Sequence, residues 1–350
     1  MKVGPTSLLH MAKHIHGRLG VVVPVLNEVR GLRLLLDDLA QQTFPSEMFD
    51  VIVLDGGSSD GTAEMAKGMV DAVPFRLQVV DNHRTTVPHA RNLAMDLLPD
   101  DVEWLVELIG HVRVDVDHLE RRVEAWEEAE ASHGPSLAAM GVRVLGPSER
   151  TGRVEGWVDA ALRSPLGRGG GQFAAFHEAG PTKVPAFAMH RRSAVKDVGG
   201  WDASWPTSQD SDLSMRLLEA GGILLRDPRP TVRMNRRPTL KHHWRMCVRY
   251  GYWRGRLLRR HPSRLDPREF LPLFGALLTC GLWFSWPSVS WVPASAYVVA
   301  IGGEGVRSIV RDRAPSHLVG VPVALLLLHA GFTAGLLRST FGRPPKARDR

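Results

Sequence analysis

Cysteine is nearly absent from this 350-residue chain: Cys247 and Cys280 are its only two. That count excludes a disulfide scaffold and a Cys-rich zinc module. Compositional bias is missing too. Hydrophobic residues make up 44% and charged residues 23%, which excludes a disordered or low-complexity chain. Acidic residues are missing from one long stretch: Arg229 to Leu265 carries twelve Arg or Lys and no Asp or Glu. Charge of either sign is missing from two others, the 34 residues Phe270 to Gly303 and the 24 residues Ala314 to Leu337. The front of the chain offers no secretory signal, because Met1 to His16 is broken by Lys2, Pro5, Lys13 and three histidines.

What is present follows from these gaps. The net charge is +7, which suits an anionic partner. A helical span needs roughly 20 apolar residues, so the second uncharged run is long enough for one span. The first is long for one and short for two. Trp244, Tyr250, Tyr252 and Trp253 sit among the twelve cations just ahead of it. A basic, aromatic helix beside an apolar run reads as an interfacial helix on an anionic leaflet, not as a nucleic-acid surface. His242-His243 reads as a surface pair. Cations set the side of each loop. Two spans would put the tail (Arg343, Lys346, Arg348, Arg350) inside and the Arg307, Arg311, Arg313 cluster outside. Three would do the reverse, and Pro287 and Pro293, marking a turn, tilt the choice to three.

Ahead of this, strand and helix patterns alternate. Leu19 to Pro24, Asp50 to Asp55, Phe75 to Val80 and Val102 to Leu108 are apolar β-type runs. Between them, Glu28 to Gln42 places Leu32, Leu35, Leu36 and Leu39 at helical spacing. Gly61 to Val70, with Ser59 as its cap, and Val87 to Leu98 read as further helices. This alternation predicts an α/β fold, a mostly parallel sheet flanked by helices, with ligands at the carboxyl ends of the strands. Asp115 to Ser132 and Ser208 to Ala220 read as helices, Leu137 to Leu145 as a strand, and the glycine-rich Arg163 to Gly180 as a mobile loop. The expected organisation is an N-terminal extension (1–16), the α/β domain (17–225), a basic interfacial segment (226–268), a membrane anchor of two or three spans (269–340) and a basic tail (341–350).

The first two strand ends carry Pro24-Val-Leu-Asn27-Glu28 and Asp55-Gly-Gly-Ser58-Ser-Asp60-Gly-Thr62. A carboxylate leaving a strand can accept from a base or ribose, and adjacent glycines let backbone approach a phosphate. The same residues also make ordinary turns with helix caps. Together with Ala90-Arg91-Asn-Leu-Ala, Gly199-Gly-Trp201-Asp202 and Gln209-Asp210-Ser-Asp212-Leu-Ser-Met-Arg216, they resemble the ordered signatures of family-2 inverting glycosyltransferases with the GT-A fold. Arg249-Tyr-Gly-Tyr-Trp-Arg, His261-Pro262 and the apolar segments after them resemble the exopolysaccharide (succinoglycan-type) glucosyltransferase branch.

The resemblance implies a membrane-anchored enzyme that moves a hexose from a nucleotide-diphosphate sugar, expected to be a UDP-sugar, to a lipid-linked or polysaccharide acceptor with inversion. It implies that Pro24, Asn27, Glu28, Asp55, Ser58, Asp60 and Arg91 serve the donor. Asp210 would be the base, and Trp201, Asp202, Gln209, Asp212 and Arg216 would orient the acceptor side. Such enzymes carry Asp-x-Asp or Asp-x-His after the fourth strand; this chain has Ile109-Gly110-His111. His111 is then the remaining ligand for Mn²⁺ or Mg²⁺, ions that prefer oxygen. Glu107 shares its strand face but lies about 13 Å away along an extended strand; Asp115 and Asp117 are substitutes from the next helix. Gln209 stands where the family has Glu. Ile109 and Gln209 support a second reading, a non-catalytic nucleotide-sugar-binding scaffold.

Overall fold

The computed structural model describes residues 17–147, 152–167 and 176–345. The extension 1–16, the glycine run Gly169 to Gly171 within the expected loop, and residues 346–350 of the tail lie outside the described residues. The chain divides into two compact units, one from residues up to 145 and 177–234, the other from 146–176 and 235 onward.

The first unit opens with β1 (Arg18–Val25), α1 (Val29–Ala40), β2 (Phe49–Asp55), α2 (Thr62–Lys67), β3 (Arg76–Asp81), α3 (Val87–Leu97) and β4 (Val102–Glu107). β5 (Val112–Val114), α4 (His118–His133) and β6 (Leu137–Leu145) follow. After residue 176 come β7 (Gly180–Pro181), β8 (Met189–Arg191), α6 (Arg192–Asp197), α7 (Gln209–Glu219) and β9 (Ile223–Met234). Residue 225, the expected end of the first domain, falls inside β9. The strand order is β3-β2-β1-β4-β8-β6-β9-β5, with β7 on β9. The first four strands are parallel, as the alternation predicts. β8 then runs antiparallel to both β4 and β6.

Alternation along each strand builds two cores. Val21 and Val23 of β1 pack with Leu32, Leu35, Leu36 and Leu39 of α1 on one face. Val22, Ile52 and Leu54 pack with Ala90, Ala94, Trp201, Leu213 and Leu217 on the other. Each fully buried leucine contributes roughly 1.5–3 kcal/mol, so the helical spacing of α1 alone fixes its inward face. The expected cap at Ser59 is not made: α2 starts later, after Gly61 in a left-handed turn, and is shorter than expected.

The second unit contains α5 (Arg153–Arg163), α8 (Leu240–Arg260), α9 (Leu271–Ser285), α10 (Trp291–Asp312) and α11 (His317–Phe341). Among the described residues only α11 is long and apolar enough to cross a membrane. α8 and α11 each carry glycines four residues apart, Gly251 and Gly255 on one, Gly331 and Gly335 on the other. A Cβ on Gly251 would lie 2.0 Å from the Phe332 carbonyl oxygen, and one on Gly335 2.2 Å from that of Val248. Backbone meets backbone there, as small residues allow. Gly335→Val is therefore expected to destabilise this unit by about 3 kcal/mol or more, read as a lower midpoint of helix melting by circular dichroism. His243, expected at the surface, is buried and shares a 3.1 Å hydrogen bond with the Ala324 carbonyl. The same α11 contact that needs glycine also covers this histidine.

Candidate active site

At the carboxyl ends of β1 and β2 the two following loops are laced together. Asn27 takes a left-handed backbone (φ 55°), which asparagine tolerates better than most residues. Its N–H donates to Ser58 Oγ (2.8 Å), and its Oδ1 accepts from Ser59 N–H (2.8 Å). Glu28 N–H donates to Thr62 Oγ1 (2.9 Å), and Val29 N–H to Asp60 Oδ2 (3.1 Å). Asp55 is buried. Its Oδ2 accepts from Gly57 and Ser58 N–H (3.0 and 2.9 Å), and its Oδ1 from the Ser58 hydroxyl. An ionised carboxylate offers about four acceptor positions, so Asp55 retains capacity for a ligand N–H. Slight burial raises the Asp60 carboxyl, but hydrogen bonds from Thr62 and Val29 outweigh it and hold it below the usual range. Pro24 is buried in β1, in register with Leu54.

The loop after β4 brings His111 Nδ1 to 3.0 Å from Glu28 Oε1. The residue expected to hold the metal and one expected to hold the donor nucleotide thus meet each other. Of the residues expected near a divalent ion, His111, with Glu28 beside it, stands at this loop. Ile109 supplies no donor atom, and Glu107 is engaged elsewhere. Asp115 accepts from the Thr231 hydroxyl (2.7 Å), and Asp117 pairs with Arg121 (2.6 Å). No three His, Cys, Asp or Glu side chains converge among the described residues.

Asp210 lies in the first turn of α7, after Ser208 in a left-handed backbone (φ 65°). Its side chain is 44% exposed while its Oδ1 accepts a short hydrogen bond from Arg91 Nη1. Arg91, buried on α3, also reaches Glu107 Oε2 (2.9 Å). Behind it, His190 Nε2 of β8 lies 3.1 Å from Glu107 Oε1. Sequence reasoning missed this arrangement: Arg91 bridges two carboxylates, and Glu107 is its buried counter-ion. Burial raises the Glu107 carboxyl, yet Arg91, the His190 hydrogen bond and the Arg122 charge outweigh that and hold it below its ordinary value. For Asp210 the balance tips the other way: loss of water around the carboxylate edge that faces Arg91, with the Glu107 charge adding to it, lifts the carboxyl above its ordinary value despite Arg91.

The remaining expected residues brace this helix. Asp212 is buried and pairs with Arg216 (2.9 Å), whose other nitrogens donate to the Val198 and Gly200 carbonyls (2.6 and 2.7 Å). Trp201 is buried, bonded through its backbone to Asn92 (2.9 and 2.7 Å), with the Arg91 guanidinium 5.6 Å from its ring centroid. Asp202 Oδ1 accepts from Ser204 N–H (2.9 Å). Gln209 is the first residue of α7. Asp212, Arg216 and Trp201 therefore hold the loop before α7 and the floor under Arg91.

Comparisons with known proteins bear on this arrangement. The fold resembles that of a mannosyltransferase from Pyrobaculum calidifontis, solved with GDP-Man and Mn²⁺, at a TM-score of 0.59 and 17% identity, covering 96% of this chain and 93% of that one. At that identity the likeness shows the fold. The succinoglycan biosynthesis protein ExoA of Rhizobium meliloti is 29% identical over 331 residues, 91% of this chain and 93% of the relative. A dolichyl N-acetyl-alpha-D-glucosaminyl phosphate 3-beta-D-2,3-diacetamido-2,3-dideoxy-beta-D-glucuronosyltransferase of Methanococcus voltae is 22% identical over 334 residues, 92% of this chain and 99% of the relative. Residues 20–199 match the profile of glycosyl transferase family 2, and residues 112–336 that of glycosyl transferase family group 2. With each match covering more than half of its length, the chain belongs to glycosyl transferase family 2 and is a glycosyltransferase of the GT-A fold that uses a nucleotide-sugar donor.

Proposed function

We propose that the enzyme transfers a hexose from a UDP-sugar to a lipid-linked saccharide in exopolysaccharide assembly at a membrane, inverting the anomeric centre, with Asp210 as base. The observation that carries this is Asp210 itself. It is half-exposed, fixed by Arg91, and attached through Arg91 and Glu107 to β4, which lies beside β1 and its laced loops. In the reaction the acceptor oxygen bonds to the anomeric carbon. The bond from that carbon to the diphosphate breaks, and the nucleoside diphosphate leaves with the electron pair. The acceptor's proton passes to the Asp210 carboxylate. Asp55 and Glu28 would hold the nucleotide base, with Asn27, Ser58 and Asp60 keeping their loops in place. The name of the Rhizobium relative supports the polysaccharide context, and the exposed apolar helix α9 supports membrane association.

The test is binding of UDP and other nucleoside diphosphates to detergent-purified protein, with Mn²⁺ and with chelator, followed by sugar transfer from the matching nucleotide sugars to lipid extracts. UDP binding with transfer supports the proposal. Absence of binding to every nucleotide would remove it and favour the scaffold reading.

The pH profile follows from the charges around Asp210: Arg91 on α3, Glu107 on β4 and His190 on β8. The base works only when deprotonated. Because its carboxyl is raised, kcat/KM is expected to fall on the acid side at a pH above the ordinary carboxylate range of about 4. Glu107→Gln removes the negative charge that raises Asp210, so that limb is expected to move to lower pH.

A further inference from the structure

α11 passes every test of length and apolarity for a membrane span, yet both of its ends are fastened to polar helices. At its start, Trp157 Nε1 of α5 donates to Ser316 Oγ (3.1 Å), and Arg163 Nη2 reaches Asp312 Oδ2 (3.1 Å). The Trp157 ring fills the space that a Cβ on Gly320 would need. At its end, Arg259 Nη2 of α8 donates to the Ser339 carbonyl (2.8 Å), and Tyr252 Oη to that of Gly342 (3.4 Å). Between them, α8 follows α11 in parallel, from His243 on Ala324 to Gly255 on Ser339.

Neither partner can be on the far side of a bilayer. α5 carries Arg153, Glu155, Asp159 and Arg163, and the chain reaches it from the first unit and returns without an apolar run of spanning length. α8 carries Lys241 and six arginines with no acidic residue, and the five residues before it, Asn235 to Thr239, are polar or proline. An α11 that crossed the hydrocarbon would drag these cations through it, where ionised side chains are rare and face protein or water.

α9 is the opposite case. None of its residues is buried, and Phe274, Leu277, Trp283 and Phe284 lie open, the last at 82% exposure. Its start is tied to α8 by Arg254 and Glu269 (3.1 Å). The far end of α10 is tied to α5 through Asp312. No charged residue falls between Phe270 and Gly303. The exposed stretch, α9 and the first turns of α10, therefore lies between a start tied to α8 and a later part of α10 that packs on α11 and α5.

We propose that α11 does not cross the membrane. α9 and the first turns of α10 insert into an anionic bilayer, entering and leaving on one face, while α11 stays on that face with α5, α8 and the part of α10 from Tyr297 onward, whose hydroxyl lies 2.8 Å from His329 Nδ1. This places the Arg307–Arg313 cluster and the Arg338–Arg343 end on the same side, which neither two nor three spans achieves when α11 is one of them. Charge complementarity agrees, because the cations of α8 then sit beside anionic headgroups. The inference rests on the membrane association proposed above and is independent of the transfer chemistry.

The experiment uses the full chain carrying Cys280→Ser, in which buried Cys247 remains. Single cysteines are introduced as Asp71→Cys in the first unit, Pro315→Cys between α10 and α11, and Pro344→Cys after α11. Right-side-out and inverted vesicles of the expressing cell are labelled with a membrane-impermeant maleimide. All three sites are expected to label in the same vesicle orientation, by at least about tenfold over the other. Labelling of residue 315 or 344 from the side opposite residue 71 overturns the proposal. Trypsin cleavage after Arg313, which Ala314 follows, gives the same readout for the α10–α11 turn on the unsubstituted chain. Trp283→Ser with Phe284→Ser is expected to weaken sedimentation with vesicles of anionic phospholipid by about tenfold or more. Unchanged sedimentation overturns the role of α9. Activity assays are untouched by either result, so failure here and failure of the transferase reading remain distinct.

Discussion

Asp210→Asn is expected to lower kcat for sugar transfer by about 10²- to 10⁴-fold, the usual contribution of a positioned general base. Nucleoside diphosphate binding should stay within a few-fold of the parent, because no donor-side residue changes. The substitution is a clean probe for a structural reason. Asparagine keeps the oxygen that accepts from Arg91, and Arg91 keeps Glu107 as a buried partner. The fold around the site therefore loses a half-exposed charge and gains no orphaned one. Single-turnover transfer and isothermal binding on the same preparation separate the two effects. Transfer at the parental rate would take Asp210 out of the mechanism.

Arg91→Met is expected to act on stability, by about 3–5 kcal/mol, as removal of one member of a buried ion pair does. The reason is Glu107. It is buried at the end of β4, in register with Val22 of the central strand. With Arg91 gone, His190 is the partner left to its side chain among the described residues, and Asp210 nearby adds repulsion. Urea unfolding of the single variants and of Arg91→Met with Glu107→Leu completes a cycle. The double variant should recover most of the loss, since apolar groups then meet where charges stood. A single-variant cost within about 0.5 kcal/mol, typical of surface changes, would mean that Glu107 finds water. The pair also explains a sign. The low-lying Glu107 contributes stability that is complete above its unfolded value and is lost as pH falls through its folded value.

Much of this fold was legible because it repeats short-range rules. The four leucines of α1 and the alternating valines of β1 and β2 state their own faces. The laced loops were half legible. Asn27, Glu28, Asp55, Ser58 and Asp60 were singled out as donor residues, but Ser59 was taken as a helix cap, whereas its N–H closes on Asn27. That bond joins residues 32 apart, and no local pattern announces it. The counter-ion of Arg91 was harder still. His190 comes from β8, a three-residue strand with no periodicity to find, and its meeting with Glu107 depends on an antiparallel pairing across 83 positions. Glu107 was noticed as a neighbour of His111 on one strand face, yet Glu28 takes His111 and Arg91 takes Glu107. The missing carboxylate at Ile109 was visible in the sequence; its consequence, a loop whose histidine faces Glu28, was not.

α5 carries a further consequence, and it concerns time. Trp157 and its hydrogen-bond partner Ser316 are separated by 159 residues. A ribosome adding about 5–20 residues per second needs about 8–32 s to cover that distance. During that interval the apolar side of α5, with Val154, Trp157 and Val158, has been made and its seat has not. The first unit holds every strand it needs once Met234 has emerged, so its sheet can close early. The second unit cannot, because one of its walls is synthesised in the middle of the first unit and the surface that covers it comes last. Assembly of the second unit thus waits for α11, which seals a face laid down 159 residues before it.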